Sequence, residues 1–274
     1  LGKDLIISAE KEGNLPNLAM AKNGLAITLQ ARGSYSEAEE LYREALEIDR
    51  VGIGEKHPDY AKHINNLAGV VKVQGRYAEA EALYREALEI TRATIGEGHP
   101  SYAIGLSNLA LVVQEEGQYT EAERLYRKAL EIGRATIGKA HPDYATRLNN
   151  LAGLVDDQGR YEEAEGLYRE ALEIDRATIG EGHPSYAIDL NYLAVTVQAQ
   201  GRYVEAEGLY REALMITRKA VGEWHPDNAN RLNNLAGVLV EQGEHEEARP
   251  LYEQALEILR ATLPPDHPRI AETE

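Results

Sequence analysis

Residues 58–99 read PDYAKHINNLAGVVKVQGRYAEAEALYREALEITRATIGEGH. Apolar residues fall at Ala61, Ile64, Leu67, Ala68 and Val71, the three-and-four spacing of one helical face. Pro58 suits a first helical turn, where a missing N–H costs little. Gly75 supplies the tolerance of positive φ that a helix end uses. A second helix is predicted from Tyr77 to about Ile95, with Ala80, Leu83, Tyr84, Ala87 and Leu88 on one stripe. Gly96 ends it, and a short loop leads to His99. The stretch therefore predicts two antiparallel helices joined by a tight turn. Neither has another way to bury its stripe, so neighbouring units must stack.

The same unit recurs along the chain. His-Pro occurs at His57-Pro58, His99-Pro100, His141-Pro142, His183-Pro184, His225-Pro226 and His267-Pro268, always 42 residues apart. The string LYREALEI at Leu41 returns, nearly intact, at Leu83, Leu125, Leu167, Leu209 and Leu251. A fixed period of this length predicts a stacked repeat protein. Six units begin at residues 16, 58, 100, 142, 184 and 226, the first opening on Leu15-Pro16. Residues 1–15 are expected to be a partial capping helix and 268–274 the start of a further one. Leu1 aligns with Arg43 inside a second helix, and Glu274 falls inside a first helix. These ends predict a single array, residues 1–274, cut from a longer one.

Composition excludes several functions. The 274 residues carry 29 Lys+Arg against 46 Asp+Glu, a net charge of −17, which argues against binding a phosphate backbone. There is no Cys, hence no disulfide framework and no thiolate metal site or nucleophile. No apolar run approaches the roughly 20 residues of a membrane span, and the opening LGKDLIISAEKEG is not a signal peptide. A cytoplasmic protein with no nucleic-acid or membrane partner is expected. Glu39–Arg43, Glu81–Arg85, Glu123–Arg127, Glu165–Arg169 and Glu207–Arg211 have the favourable order four residues apart, which marks a solvated outer face.

These residues resemble the tetratricopeptide repeat family, whose small and large core positions match Leu67, Ala68, Ala80, Tyr84 and Ala87. The 42-residue step, the His-Pro opening and the string LNNLAGLVDDQGRYEEAEGLYREALEI at Leu148 look like the kinesin light chain type. The resemblance covers essentially the whole chain. It implies an all-α fold, a right-handed superhelical solenoid, with the first helices lining a concave groove that holds peptides. The same repeat type also looks like the sensor arms of signalling ATPases and caspase-like proteases.

Little in the chain suggests chemistry. Each recurring His is a helix-pair width from the next, too far for a metal that needs three or four converging ligands, so a loop or cap role is expected. Gly133 to Lys139 reads GRATIGK, but Ala140 stands where a phosphate loop needs Ser or Thr, and no strand precedes it. His245-Glu246 begins like a zinc-protease motif, but Arg249 replaces its second His. Asp156 and Asp157 are adjacent on a helix and point apart. No catalytic residue, metal or cofactor is expected.

By the family's phase, the groove should carry Lys62 and two polar columns. One column runs Asn23, Asn65, Ser107, Asn149, Asn191 and Asn233; the next runs Gly24, Asn66, Asn108, Asn150, Tyr192 and Asn234. Asn is a poor helix-interior residue. Its amide can clamp a peptide backbone, or it can bond between neighbouring helices and stiffen the stack; both readings stay open. A period of 84 residues underlies the first. Ile27, Leu111 and Val195 alternate with Gly69, Gly153 and Gly237, read as large filling small between close helices. His63, Arg147 and Arg231 recur in alternate units as basic spots that could meet acidic ligand residues. A clamp for a C-terminal carboxylate is not expected, because only Lys62 of such a set is present.

The function predicted is a non-enzymatic scaffold that binds a peptide or partner protein in the groove. The alternatives are a sensor or regulatory arm of a larger ATPase or protease, and a structural spacer that self-associates through its open ends.

Overall fold

The computed structural model describes residues 5–9, 13–264 and 268–273. Among them only helices, turns and loops occur, so the chain is all-α. His267 and Glu274 lie outside the described residues, as do residues 1–4 and 10–12 of the expected capping segment; residues 5–9 are helical.

The helices come in pairs and the chain divides into two compact units, residues 1–136 and 137–274. The first unit holds α1 (Leu15–Ala31), α2 (Tyr35–Gly52), α3 (Pro58–Val73), α4 (Tyr77–Thr94), α5 (Pro100–Glu115) and α6 (Tyr119–Thr136). The second holds α7 (Pro142–Asp157), α8 (Tyr161–Thr178), α9 (Pro184–Ala199), α10 (Tyr203–Val221), α11 (Pro226–Gln242), α12 (His245–Thr262) and the short α13 (Pro268–Thr273). Within each unit a helix packs against its pair-mate, and each second helix packs against the first helix that follows.

The pairs start and stop as the sequence predicts. His57, His99, His141, His183 and His225 sit in extended backbone just before a Pro, as helix N-caps. In each the ring Nδ1 accepts the N–H two residues on, at 3.2 Å from Asp59 and 3.1 Å from Ser101. The recurring His is thus a cap, with the job usually given to Ser or Asp. Gly75 has φ +77, and its N–H reaches the Lys72 carbonyl at 2.9 Å, closing the turn between α3 and α4.

The core is built on small residues. Ala26, Ala68, Ala110, Ala152, Ala194 and Ala236 are all fully buried, as are Ala38, Ala80, Ala122, Ala164 and Ala206 on the second helices. A methyl at these points lets the paired helices approach closely, and Tyr42, Tyr126, Tyr210, Leu67, Leu109 and Leu151 fill the space between.

The 84-residue alternation is visible inside each pair. In one set of units the Tyr hydroxyl of the second helix bonds a Gln of its own pair: Tyr42 to Gln30 at 3.0 Å and Tyr210 to Gln198 at 2.9 Å. In the other set the Gln is absent and Gly stands one turn earlier. A Cβ on Gly69 would lie 3.5 Å from the Tyr84 hydroxyl, and one on Gly153 3.6 Å from that of Tyr168, both ordinary contacts. The atom nearest each such Cβ belongs to a Tyr of the same pair, not to an aliphatic side chain of the next.

Candidate binding face of the first helices

Within each unit, the first helices of successive pairs are tied together by the predicted asparagines. In the first unit Asn66 Nδ2 donates to Asn23 Oδ1, and Asn108 Nδ2 to Asn65 Oδ1, both at 3.0 Å. In the second, Asn234 Nδ2 donates to Asn191 Oδ1 at 2.8 Å. Asn149 Nδ2 donates instead to Asp189 Oδ1, and Asn233 Nδ2 to Thr273 Oγ1, each at 2.8 Å. Asn150 lies half-buried on the same face. The ladder reading therefore describes these bonds. An amide has two N–H groups and two acceptor lone pairs, so one bond leaves capacity for a ligand. Asn149 Oδ1 and Asn233 Oδ1 are buried with no hydrogen-bond partner among the described residues.

The basic spots differ from expectation. Lys62 is exposed and makes no ion pair among the described residues. His63 is buried, and its Nδ1 meets Asp49 Oδ2 of the preceding helix at 2.5 Å. Burial pushes the Asp49 carboxyl up, against the opposing pull of His63. Arg147 is only 5% exposed; its Nη1 donates to the Asp143 carbonyl of its own helix at 3.0 Å. Arg231 is half-buried, its Nε unpartnered among the described residues. Burial lowers both guanidinium pKa values, with Asp143 and Asp227 acting in the opposite sense. At 63 the position faces the preceding second helix, and the side chains at 63 and 147 are drawn in from the surface.

Position 105 is the exception in that column. Where Ala21, His63, Arg147, Asp189 and Arg231 stand elsewhere, the third pair has Gly105. A Cβ there would come within 2.9 Å of Leu88 Cδ2, so Leu88 packs against the bare backbone. Beside it a cleft of about 470 Å³ lies between α3, α4 and α5. Ala61, Leu88 and Ile104 give it an apolar floor; Lys62, Asn65 and Asn66 give it a polar wall.

The second unit carries an aromatic feature that sequence reasoning missed. Tyr192, in the Asn column, is 47% exposed and stacks on Tyr168 with ring centroids 5.9 Å apart. The signal was Tyr192 standing alone in a column of amides. Beside it, the Thr196 hydroxyl donates to Asp156 Oδ1 at 2.7 Å, linking α9 to α7.

The opposite face, made by second helices, is braced differently. Arg43 and Arg76 both bond Glu39, and both reach Glu79, forming a ring across two pairs. Gln74 adds a bond to Glu39 at 2.8 Å. Burial pushes the Glu39 carboxyl up, but the hydrogen bonds from Arg43, Gln74 and Arg76 outweigh it and hold it at about 2. Glu165, Arg169, Arg202 and Glu205 repeat the ring in the second unit. The predicted i, i+4 pairs all form, and at Glu39, Glu165 and Glu207 the pair is part of a larger inter-pair bond. Between α4 and α6 the ring is missing: Glu116 and Gln118 occupy the places of Gln74 and Arg76. There Glu116 is pushed up by burial and by the neighbouring Glu81 carboxyl.

Among the described residues no group of three or more His, Cys, Asp or Glu could hold a metal. No helix among them is long and apolar enough to cross a membrane.

The tetratricopeptide repeat profile matches residues 17–93, 59–132, 101–177, 157–219, 184–261 and 226–273. No curated protein matches. Among solved structures, BtubC (BKLC) from P. vanneervenii is 27% identical with TM-score 0.69, covering 86% of this chain and 92% of its own. A putative kinesin light chain from Podosopora anserina, with nearly identical TPR-like repeats, is 27% identical with TM-score 0.66; the match spans 76% of this chain and 99% of that one. PilF of Pseudomonas aeruginosa, 21% identical with TM-score 0.60 over 93% of this chain and 95% of its own, shares the fold. Profile matches that run from repeat to repeat, over helix pairs closed by the same caps and turns, show that the chain belongs to the tetratricopeptide repeat family.

Proposed function

We propose that this chain is a non-enzymatic, cytoplasmic scaffold that holds an extended segment of a partner protein against its first helices. In the first unit the segment lies over the cleft beside Lys62, Asn65, Asn66 and Asn108. In the second it passes Asn149, Asn150, Asn191, Tyr192, Asn233 and Asn234. Arg147 and Arg231 serve this face from beneath, by holding the helices that carry it. The observation that carries the reading is the cleft between α3, α4 and α5, where an apolar floor lies beside the exposed Lys62 and the Asn65 and Asn66 amides. Spare amide capacity along the Asn columns supports backbone recognition. The net charge of −17 supports protein partners over nucleic acid.

The test is selection of a displayed peptide library on the full chain, followed by affinity measurements on two variants. Ile104→Arg puts a long charged side chain at an exposed position lining the cleft, and Lys62→Glu reverses the exposed cation. A tenfold or greater loss of affinity in both, with unchanged helical content, is the expected result. Selected peptides that bind both variants as they bind the native chain would reject the site.

A further inference from the structure

Where one helix pair meets the next, two positions face each other: one near the end of a second helix, one early in the following first helix. In the first unit they hold Asp49 and His63, an acid and a base in contact at 2.5 Å. Three repeats later, in the second unit, the same two positions hold Asp175 on α8 and Asp189 on α9. Both are buried, at 6% and 4% exposure. The register that puts Asp49 against His63 sets these two carboxyl groups toward each other.

Among the described residues no cation acts on Asp189: Arg176 on α8 acts on Tyr186 and is paired with Glu181 at 2.7 Å. From α7, Asn149 donates to Asp189 Oδ1, and Asp156, itself bonded by Thr196, lies further along the same helix. From α8 come Asp175 and the Tyr168 ring, and on α9 itself Tyr186; both tyrosines feel the charge of Asp189. From α10, Glu212 acts on Tyr186 but not on Asp189. Asp189 Oδ2 has no hydrogen-bond partner among the described residues. Two buried carboxylates side by side are costly unless they share a proton.

We propose that Asp175 and Asp189 form a proton-held joint: one shared proton closes α8 against α9, and its loss drives the carboxylates apart and loosens the contact between residues 142–178 and 184–221. Burial pushes Asp189 up, the Asn149 bond pulls it down, and the Asp175 carboxyl pushes it up again, to about 7. An acid raised on folding adds stability that is complete below its ordinary range and is lost as pH rises through the folded value. The joint is therefore closed in mild acid and loosens across neutral pH. Asn149 hangs on Asp189, so opening also releases an amide of the candidate binding face. The joint itself stands whether or not that face binds a peptide.

The experiment is amide hydrogen exchange on the full chain at pH 6 and pH 8.5, corrected for the intrinsic exchange rate. Asp189→Asn serves as the comparison: its amide can accept from Asn149 and donate to Asp175, but cannot ionise. Protection around residues 172–193 should fall about tenfold or more in the native chain, one pKa unit being a factor of ten, and stay flat in the variant. Residues 88–109, which carry Thr91 and Gly105 at these positions, should stay flat in both. Carbon-13 carboxyl spectra of Asp-labelled protein should show one side chain titrating near neutrality, absent from the variant. Asp175→Asn gives the same readout if Asp189→Asn does not fold. All Asp side chains titrating below pH 5, or equal loss of protection in native chain and variants, would overturn the joint.

Discussion

Asn66 donates its side-chain amide to Asn23 Oδ1 at 3.0 Å, tying two first helices together across 43 residues of chain. A hydrogen bond of this kind is worth about 0.5–1.5 kcal/mol net, and a buried amide left without its partner costs about 1–3 kcal/mol. Asn23→Ala and Asn66→Ala should each destabilise, with a coupling energy of about 1 kcal/mol in a double-mutant cycle. Chemical denaturation of the four proteins measures it. Strict additivity would mean that the bond does not contribute to the stack.

His99 caps α5 with its ring nitrogen beside the candidate cleft, and its exchange tests the capping role through stability alone. His99→Asn should be nearly neutral, while His99→Ala should cost about 0.5–2 kcal/mol, the usual range for a lost N-cap. Thermal unfolding of the two variants reads the difference.

Tyr126 is fully buried at the centre of its pair. Tyr126→Ala should cost about 3–5 kcal/mol, as large aromatic truncations do. A loss below about 1 kcal/mol in a denaturant titration would contradict the packing described.

The Glu39 and Glu165 rings predict an acid limb. Both carboxyls are held at about 2 by hydrogen bonds from Arg and Gln that overcome their burial. A carboxyl depressed on folding gives stability that is present above its ordinary range and is lost as pH falls through the folded value. Stability should thus decline from about pH 5 to pH 2, and less steeply in Glu39→Gln/Glu165→Gln. Urea titrations across that range decide it.

The junction lacking a ring can be repaired. Glu116→Gln with Gln118→Arg copies Gln74 and Arg76 onto the next pair and removes the Glu81–Glu116 repulsion. The double variant should gain about 0.5–1 kcal/mol, the scale of surface ion pairs. The gain should shrink in high salt.

The fold was legible because each of its devices lies within one 42-residue unit: Pro58 at a helix start, Gly75 in its turn, and the apolar stripes. The candidate face was legible as a set of positions, since the Asn columns follow from helix phase alone. Partners were not. Asn66 finds Asn23 only once the pairs have stacked, and His63 is buried by Asp49, a residue of the preceding helix. The column Asp49, Thr91, Gly133, Asp175, Thr217 was the available signal, because an acid on a helix face that meets the next pair needs a partner there. The alternating glycines predict contact with the neighbouring unit, whereas the side chain nearest Gly69 is Tyr84 of its own pair.

The central claim is that ligand sits on first helices. Methyl NMR of the full chain with a selected peptide tests it directly, because exposed apolar probes mark both faces. Shifts should appear at Ile104 and Leu88, which line the cleft, with Val204 and Met215 on α10 unmoved. Shifts at Val204 and Met215 with Ile104 and Leu88 silent would place the ligand on the second helices and contradict the account.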